Sequence, residues 1–366
     1  MDRVVADLVW HPLVPEGAGN RQRILSLAAR GVGIEVHLIG PGPAPRAVPR
    51  FIEAPPWRAP WTIPWFNPGV LGYLHPSAAG RMVRAARALG PALVLSEGLW
   101  TLPAARAASR ARCPLAVTVN NIEHIVLASR GKRMWSAAVR LMERSWYRHA
   151  DLLIAVSPAD GRRLRDLLGP ACPQVEIVPN GMDPPPAEVA EADLPHPNVV
   201  FLGKTDYPPN ADAIAVLQRE WLPEARRRGM EATAVIAGGP ALPGVREGMV
   251  FTGYVEDVWP VISAADVCVA PLTAGSGTRL KVLTYLAAEK PVIATEVAVE
   301  GLGMEPRIHY LRAESGEEFA EALEYLRRDP GGASRLAARG RALSAEFSWA
   351  TIGAHWSEVL RSRVGH

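Results

Sequence analysis

The chain has 366 residues, of which 48% are hydrophobic and 21% are charged. This length accommodates two domains of ordinary size, and the composition is typical of a globular protein with substantial buried cores. The formal net charge of +3 is small. The charge balance therefore gives no reason to expect a nucleic-acid partner, because such partners select strongly basic surfaces.

The cysteines and the apolar runs indicate the compartment. Cys113, Cys172 and Cys268 are scattered and lack metal-ligand spacing, which is typical of buried thiols in a reducing environment. No apolar run approaches the roughly 20 residues that span a bilayer. The N-terminal MDRVVADLVWHP has no cleavable signal pattern. We therefore expect a cytoplasmic protein.

The first half of the chain alternates apolar strands with helices. A strand at 4–9 is followed by a turn containing Gly17 and Gly19, then by a helix and a second strand at 34–39. Further strands are predicted at 92–95, 115–119, 152–156 and 175–178. This alternation predicts a doubly wound α/β domain with a parallel sheet.

Polar side chains follow two of these strands. Glu97 comes directly after the strand at 92–95, and Glu123 and His124 come after the strand at 115–119. Ligands of open α/β sheets bind beyond the carboxyl ends of the strands. These three residues are therefore candidates for substrate contacts, and the alternative for each is a solvated loop or capping residue.

Residues 41–78 are unusually dense in prolines and aromatics, including Trp57, Trp61 and Trp65. The prolines forbid a regular helix and favour an extended path. The aromatics either pack against their own domain, line a pocket for an acceptor, or touch a membrane interface.

Residues 133–149 predict an amphipathic helix with one apolar side and arginines on the other. Its apolar residues are Trp135, Val139, Leu141, Met142 and Trp146. Such a helix either packs into its domain with solvated arginines or lies on an anionic lipid surface.

Residues 184–197 are rich in proline and acidic residues, which is a linker composition. We therefore place one domain at 1–183 and a second at 198–350. Strands of the second domain are predicted at 198–202, 232–237, 250–254, 267–271 and 291–294, and a last helix at 351–363.

A glycine-rich loop lies at the centre of the second domain. Gly275, Ser276, Gly277 and Thr278 connect the strand at 267–271 to a helix at 279–288. Such a turn presents free backbone N–H groups and the positive end of a helix dipole, which together bind anions such as phosphate. Arg279 and Lys281 oppose that dipole, so a local negative ligand would explain them. The alternative is an ordinary turn whose glycines only allow tight packing.

Several motifs here resemble the retaining, nucleotide-sugar-dependent glycosyltransferases of family 4. They are APLTAGSGTRLKVLTYLAAEKPVIATEVAVEGL, VVFLGKTDYPPNADAI, GYVEDVWPVISAADVCVAPL and the pieces ADLLIAVSPAD and VEIVPNGMD. The resemblance implies the GT-B fold, in which two Rossmann-like doubly wound domains face each other across a central cleft. The first domain would bind the acceptor and the second the donor, and helix 351–363 would pack back on the first.

The resemblance also implies a donor site. The diphosphate would meet the backbone of residues 275–278, with cations from Lys204 and Arg279 and with Lys281 in reserve. The nucleotide base would be read at Tyr254 and Val255. Gly203 and the Gly17 and Gly19 turn would approach the donor. No metal or other cofactor is implied.

The chain departs from the family pattern at three positions. Ser276 and Thr284 replace two glutamates that approach the donor sugar and the ribose, and Asn120 replaces a histidine close to that sugar. Thr284 is therefore expected to hold the ribose through its hydroxyl.

The implied activity is transfer of a sugar from a UDP- or GDP-linked donor to an acceptor hydroxyl with retention. Lys204 and Arg279 would stabilise the departing diphosphate, and Glu97 and His124 would contact the acceptor. The acceptor would be a small metabolite or a lipid-linked or polysaccharide intermediate, the latter with peripheral contact at the inner face of the membrane. The alternative is a catalytically silent GT-B protein that binds a nucleotide sugar as a partner or regulator.

Overall fold

The computed structural model describes residues 3–9, 18–40, 50–54, 75–109, 113–129, 131–240, 242–274 and 278–364. The chain divides into two compact units. The first comprises Met1–Asn180 and Trp349–His366, and the second comprises Gly181–Ser348. The division falls after Asn180, where the sequence predicted residue 183. Residues 184–197, predicted as a linker, are grouped with the second unit.

The described part of the first unit has a seven-stranded sheet with helices between the strands. The strands are β1 (Arg3–Leu8), β2 (Ile34–Gly40), β3 (Phe51–Glu53), β4 (Leu93–Glu97), β5 (Leu115–Val119), β6 (Leu152–Ala155) and β7 (Gln174–Ile177). The helices are α1 (Ala18–Arg30), α2 (Pro76–Ala88), α3 (Leu102–Ser109), α4 (Glu123–Ser129), α5 (Arg133–Tyr147) and α6 (Pro158–Leu168).

The strand order of this sheet is β3-β2-β1-β4-β5-β6-β7, and neighbouring strands are parallel. The order reverses between β1 and β4, where Asp7 pairs with Leu95 and Leu8 with Ser96. Strands β4, β5 and β6 are buried along their whole length, as parallel strands covered on both faces must be. A binding crevice is expected at the carboxyl ends of β1 and β4.

The described part of the second unit has a second seven-stranded sheet. Its strands are β8 (Asn198–Leu202), β9 (Thr233–Ala237), β10 (Gly244–Arg246), β11 (Met249–Gly253), β12 (Val267–Ala270), β13 (Val292–Ala294) and β14 (Leu311–Arg312). Its helices are α7 (Pro208–Val216), α8 (Leu222–Arg227), α9 (Trp259–Ser263), α10 (Leu280–Ala287), α11 (Glu296–Val299), α12 (Gly316–Arg328) and α13 (Pro330–Ser344), and α14 (Trp349–Val364) returns to the first unit.

The second sheet has the order β10-β11-β9-β8-β12-β13-β14. Only the pairing of β10 with β11 is antiparallel among these described strands. The order reverses between β8 and β12, which are buried in the core. Two Rossmann-like units, each with a largely parallel sheet, therefore make up the described chain, as predicted for the fold class.

Helix α14 packs on α1 of the first unit. A Cβ at Gly353 would lie 2.7 Å from the Cβ of Ala28, so the glycine allows the two helices to approach closely. Trp356 is buried, and His355 Nε2 lies 3.1 Å from the carbonyl oxygen of Ile177.

Helix α5 corrects the predicted apolar side at 133–149. Val139 and Tyr147 are buried, but Leu141 is 69% exposed and Trp135 is 47% exposed. The prediction grouped Leu141 with Val139, although two residues at about 100° each separate them by roughly 200° around a helix. Among the described helices, none is long and apolar enough to cross a membrane.

Several predictions concern residues outside the described ranges: Gly17, the loop Gly275, Ser276 and Gly277, and the aromatics Trp57, Trp61 and Trp65. Gly19 was predicted in a turn but lies within helix α1. Cys268 is buried as predicted, whereas Cys113 and Cys172 are only half-buried, and all three are free thiols.

Candidate active site

The strands of the second sheet end together at one edge. Gly203 follows β8, Gly238 and Gly239 follow β9, and Tyr254 follows β11. The backbone N–H of Gly238 donates to the carbonyl of Gly253 at 3.0 Å, which ties two of these strand ends together. In a parallel sheet this edge beside the switch between β8 and β12 is where a ligand binds.

Lys281, in the first turn of α10, reaches this edge. Its Nζ donates to Oδ1 of Asn210 at 2.6 Å and lies 4.1 Å from the centroid of the Phe201 ring. Asn210 is held in turn, because its Nδ2 donates to the carbonyl of Lys204 at 2.9 Å. The amide oxygen of Asn210 is thereby turned towards the ammonium group of Lys281.

Gly203 keeps space open at the same place. A Cβ on this residue would lie 2.6 Å from Asn210 Nδ2 and 3.0 Å from Lys281 Nζ. Only glycine lets the backbone after β8 come this close to the two side chains. The backbone of residue 203 and the Lys281 ammonium therefore border a common space.

Burial, reinforced by the positive charge of Arg279, lowers the pKa of Lys281 to about 7. Desolvation disfavours the charged form of an amine, and a like charge acts in the same direction. A bound anion would offset both effects, because an opposite charge favours the ammonium form. This is the electrostatic behaviour expected of a lysine placed to meet a phosphate.

Arg279 precedes α10 and is 7% exposed. Its Nε donates to the carbonyl of Val297 at 3.3 Å, which holds the base of the guanidinium against α11. Thr278, beside it, is half-buried. Arg279 and Lys281 therefore concentrate positive charge at the start of α10, where the helix dipole is also positive.

The other predicted donor residues are placed differently. The Lys204 side chain is exposed, while its carbonyl oxygen accepts from Asn210. Tyr254 is 65% exposed and Val255 is half-buried. The hydroxyl of Thr284 donates to the carbonyl of Leu280 at 2.9 Å, so its proton is already engaged within α10.

Asn210 and Phe201 contact Lys281, and the sequence alone did not indicate either of them. Asn210 lies in the run YPPN, which has no charged residue that would indicate an anion site. An amide that accepts from a lysine is as much a part of an anion site as the cation itself, because it orients the ammonium group.

A second cluster lies in the first unit, at the carboxyl ends of β1 and β4. Asp7, Arg21 and Glu97 are each no more than 1% exposed. Nδ2 of Asn120 donates to Oε2 of Glu97 at 2.9 Å. Of the predicted residues, Glu97 and Asn120 are thus brought together, and Asp7 and Arg21 are additions that the sequence did not indicate.

Arg21 is held at the end of the first unit. Its Nη2 donates to the carbonyl of Val178 at 2.9 Å, and its Nη1 donates to the carbonyl of Pro179 and to Oδ1 of Asn180 at 2.6 and 3.0 Å. Burial lowers the pKa of Arg21 to about 10, although Glu97 and Asp7 act to raise it. The guanidinium is therefore the buried cation that balances the two carboxyl groups.

Asp7 has a strongly raised pKa in this cluster. Burial, followed by the negative charge of Glu97, raises the pKa of Asp7 well above its ordinary value, and Arg21 offsets part of this. Neither carboxyl oxygen of Asp7 has a hydrogen-bond partner among the described residues. Burial and the nearby charge of Glu97 therefore favour the protonated form of Asp7.

His124 belongs to a different group of residues. Its Nδ1 shares a hydrogen bond of 2.5 Å with Oε2 of Glu143, a fully buried residue of α5. Oε1 of Glu143 accepts from the backbone N–H of Glu123 at 2.8 Å. Glu143 therefore positions the start of α4, and sequence reasoning had not paired it with His124.

The described residues contain no group of three or more histidine, cysteine or acidic side chains placed to hold a metal ion. Lys281 and Arg279 are the described cations at the start of α10.

Comparison with known proteins places these units in a class. Residues 15–185 match the family model "Glycosyltransferase Family 4", and residues 196–329 match "Glycosyl transferases group 1". No curated protein matches the sequence significantly.

Solved structures resemble the whole chain. Sucrose-phosphate synthase from Thermosynechococcus elongatus is 17% identical, with 98% of each chain covered and a TM-score of 0.75. Anabaena Alr3699/HepE in complex with UDP-glucose is 16% identical, with 98% of this chain and 99% of that chain covered and a TM-score of 0.66. The lipopolysaccharide outer core galactosyltransferase WaaB is 11% identical, with 98% and 99% covered and a TM-score of 0.67.

These similarities define a protein with the GT-B glycosyltransferase fold. The chain therefore consists of a domain that matches glycosyltransferase family 4 and a domain that matches the glycosyl transferases group 1, which together span most of its length.

Proposed function

We propose that this glycosyltransferase moves a sugar from a UDP-linked donor to an acceptor hydroxyl with retention of anomeric configuration. The observation that carries the donor proposal is the contact between Lys281 and Asn210 beside Gly203, at the switch point of the second sheet. Retention is what the resemblance to family 4 implies.

The chemistry needs charge stabilisation for a departing diphosphate. Bond cleavage at the anomeric carbon leaves negative charge on the diphosphate oxygens, so a preorganised cation stabilises the transition state more than the ground state. Lys281, protonated when the anion binds, and Arg279 supply that charge. Asn210 keeps the ammonium group oriented before the donor arrives, which removes a reorganisation cost.

The choice of UDP is supported by the Anabaena Alr3699/HepE structures, which contain UDP with glucose and UDP-glucose. The base would lie near Tyr254 and Val255, whose strand ends at the same edge as the Lys281 site. Thr284 would contact the ribose as a hydrogen-bond acceptor, because its proton is donated to Leu280.

The acceptor would bind to the first unit. Glu97 is held by Asn120 at the switch point of the first sheet, and His124 is held by Glu143. In this proposal Asn120 and His124 present polar groups to the acceptor, and Glu97 positions Asn120 from its buried place.

Thermal-shift measurements with UDP, GDP, ADP and dTDP, followed by hydrolysis assays with UDP-sugars, test this function. We expect UDP to raise the unfolding midpoint and slow hydrolysis of a UDP-sugar to accompany it. Lys281→Met should weaken both effects. Lys290→Met is the matched control, because Lys290 also donates to a carbonyl, that of Ser263, in the same unit.

The outcomes separate the alternatives. Stabilisation by UDP without hydrolysis or transfer of any UDP-sugar would favour the catalytically silent, nucleotide-sugar-binding protein. Stabilisation by GDP alone would indicate a GDP-linked donor that binds at the same Lys281 site. Equal losses in Lys281→Met and Lys290→Met would contradict the assignment of Lys281.

A further inference from the structure

Helix α5 of the first unit has an apolar stripe on its exposed side. Met134, Ala137, Ala138 and Leu141 are exposed and follow the spacing i, i+3, i+4, i+7 of one helix face. Met134 is 86% exposed and Leu141 is 69% exposed. This exposed stripe is separate from the buried side of the helix, where Val139 and Tyr147 pack into the first unit.

Arginines line one flank of this stripe. Arg133, Arg140 and Arg144 are exposed, and they recur at spacings of seven and four residues, which places them along one side of the helix. None of the three forms an ion pair with another residue that the structure describes. Trp135, 47% exposed, lies on the opposite flank of the stripe.

The sign of the charge is uniform along the helix. Glu143 is the one acidic residue between positions 132 and 148, and it is buried against His124. Arg140, Arg144 and Arg148 are spaced four residues apart, so neighbouring like charges repel one another and oppose the helix slightly. A helix face that only contacts water usually carries both positive and negative side chains. An anionic partner would offset the repulsion between these arginines.

The positive charge continues past the end of α5. Arg106, Trp146 and His149 line a small groove there with Leu102 and Pro103. Burial, with the positive charges of Arg106 and Arg148, lowers the pKa of His149. Arg106 therefore adds to the positive charge of the exposed face, whereas the lowered pKa leaves His149 uncharged at neutral pH.

We propose that this face of α5 docks on the surface of an anionic phospholipid bilayer. Met134 and Leu141 would enter the boundary between headgroups and acyl chains, Trp135 would lie at the headgroup level, and the arginines would contact lipid phosphates. A lipid surface fits better than a folded partner, because two small alanines lie between the large apolar residues and leave no continuous core for a protein interface.

The acceptor follows from this placement. An enzyme whose first unit lies on a membrane meets acceptors at the lipid surface, so the acceptor hydroxyl would belong to a lipid-linked molecule. This consequence rests on the proposed function, whereas the docking itself does not. Vesicle binding without any donor therefore tests the docking alone.

The experiment is co-sedimentation of the full chain with vesicles of phosphatidylcholine alone and of phosphatidylcholine mixed with phosphatidylglycerol. We expect binding to the mixed vesicles at low salt, weak binding to the neutral ones, and release at high salt. The triple variant Arg133→Gln, Arg140→Gln, Arg144→Gln should bind roughly 100-fold more weakly, since each cation near an anionic surface contributes about fivefold. Met134→Ser with Leu141→Ser should lose at least about tenfold.

Matched controls lie in the second unit. The charge control is a triple variant in α13 that also removes three exposed arginines: Arg335→Gln, Arg339→Gln and Arg341→Gln. The apolar control is the double variant Leu242→Ser with Val245→Ser, whose side chains are 74% and 73% exposed in the wild type. Both should bind vesicles as the wild type does, and unfolding midpoints should show all four variants folded. Failure of the wild type to bind anionic vesicles, or equal losses in the α5 and control variants, would overturn the proposal. So would a loss of self-association in the Met134 and Leu141 variant with vesicle binding unchanged, which would assign the face to a second copy.

Discussion

Nζ of Lys281 lies 2.6 Å from Oδ1 of Asn210, although 71 residues separate them in sequence. The contact joins the start of α10 to the start of α7 at the carboxyl edge of the second sheet. It holds a partly buried ammonium group. Burial and the positive charge of Arg279 lower the pKa of this group to about 7. An ordinary surface lysine would be charged at neutral pH whether or not a ligand were present.

UDP binding should therefore take up a proton. At pH 8 Lys281 is mostly neutral in the free protein, and a bound diphosphate favours the charged form, so uptake should approach about 0.9 proton per site. Titration calorimetry in buffers of different ionisation enthalpy measures this uptake. The charged group that acts on Lys281 is Arg279, while Asn210 and Phe201 are neutral. Lys281→Met should bind more weakly and take up almost none; the same uptake in that variant would assign the proton elsewhere.

Lys281→Met should also stabilise the free protein at pH 6. A lysine with a lowered folded-state pKa opposes folding fully below that value, and the penalty fades as pH rises from about 7 towards the unfolded value of 10.5. The gain at pH 6 should be on the order of 2 kcal/mol, because loss of the Asn210 and Phe201 contacts offsets part of the relief. Chemical denaturation at pH 6 and pH 10 measures it. A variant that is less stable than the wild type at pH 6 would contradict the lowered pKa of Lys281.

Much of the fold could be predicted from the sequence. The buried strands of parallel sheets are continuous apolar runs, so residues 115–119 and 198–202 were placed as observed. The short edge strands β10 and β14 were missed, because three exposed residues and a two-residue pairing carry no apolar pattern. The two apolar sides of α5 were merged, because composition alone does not separate faces that differ only in angle.

The candidate site was predicted less completely. Lys281 and Arg279 are candidates from the sequence because cations at a helix start oppose the dipole. Asn210 and Phe201 could not be found in this way, because an amide and an aromatic ring carry no charge signal until folding brings them to a lysine. The sequence gives Asp7 no separate signal within its strand, because the pKa of this residue depends on Arg21 and Glu97, which reach it from other elements.

Arg279→Ala should lower turnover more than donor affinity. A guanidinium aimed at a diphosphate stabilises charge that grows in the transition state, and removing one such group costs something like 10²–10³-fold in kcat. Steady-state kinetics with a UDP-sugar, alongside the unfolding midpoint, measure the effect. Thr284→Ala should instead raise the KM for the donor with kcat little changed. Full activity in a folded Arg279→Ala protein would leave the role to Lys204 or Lys281.

Asp7→Asn should stabilise the protein increasingly as pH rises. A carboxyl group with a raised folded-state pKa favours folding below its ordinary value of 3.8, and that contribution is lost as pH climbs towards the raised value. The asparagine mimics the protonated acid and keeps the electrostatic attraction between Arg21 and Glu97. The variant and the wild type should therefore match near pH 3 and diverge by up to about 1.4 kcal/mol per pH unit above pH 4.

The control for Asp7→Asn is Asp166→Asn, since Asp166 is exposed on α6 of the same unit. Its stability difference from the wild type should change little with pH. Denaturation curves at several pH values measure both variants, and a flat difference for Asp7→Asn would show that Asp7 is ionised in the folded state.

Gly203→Ala tests the space beside Lys281 most directly. The added methyl would lie 2.6 Å from Asn210 Nδ2 and 3.0 Å from Lys281 Nζ, so the ends of these side chains must move while the backbone stays. Loss of the Lys281–Asn210 contact should weaken UDP binding by about tenfold, the worth of one charge-assisted hydrogen bond. The unfolding midpoint should fall only slightly, because the lysine end is flexible. Gly80→Ala in α2 is the matched control, since its nearest contact is an ordinary 3.5 Å to Arg84 Nη1. Unchanged UDP affinity in a folded Gly203→Ala protein would mean that the diphosphate lies away from the Lys281 ammonium, and the donor site would have to be moved along the same sheet edge.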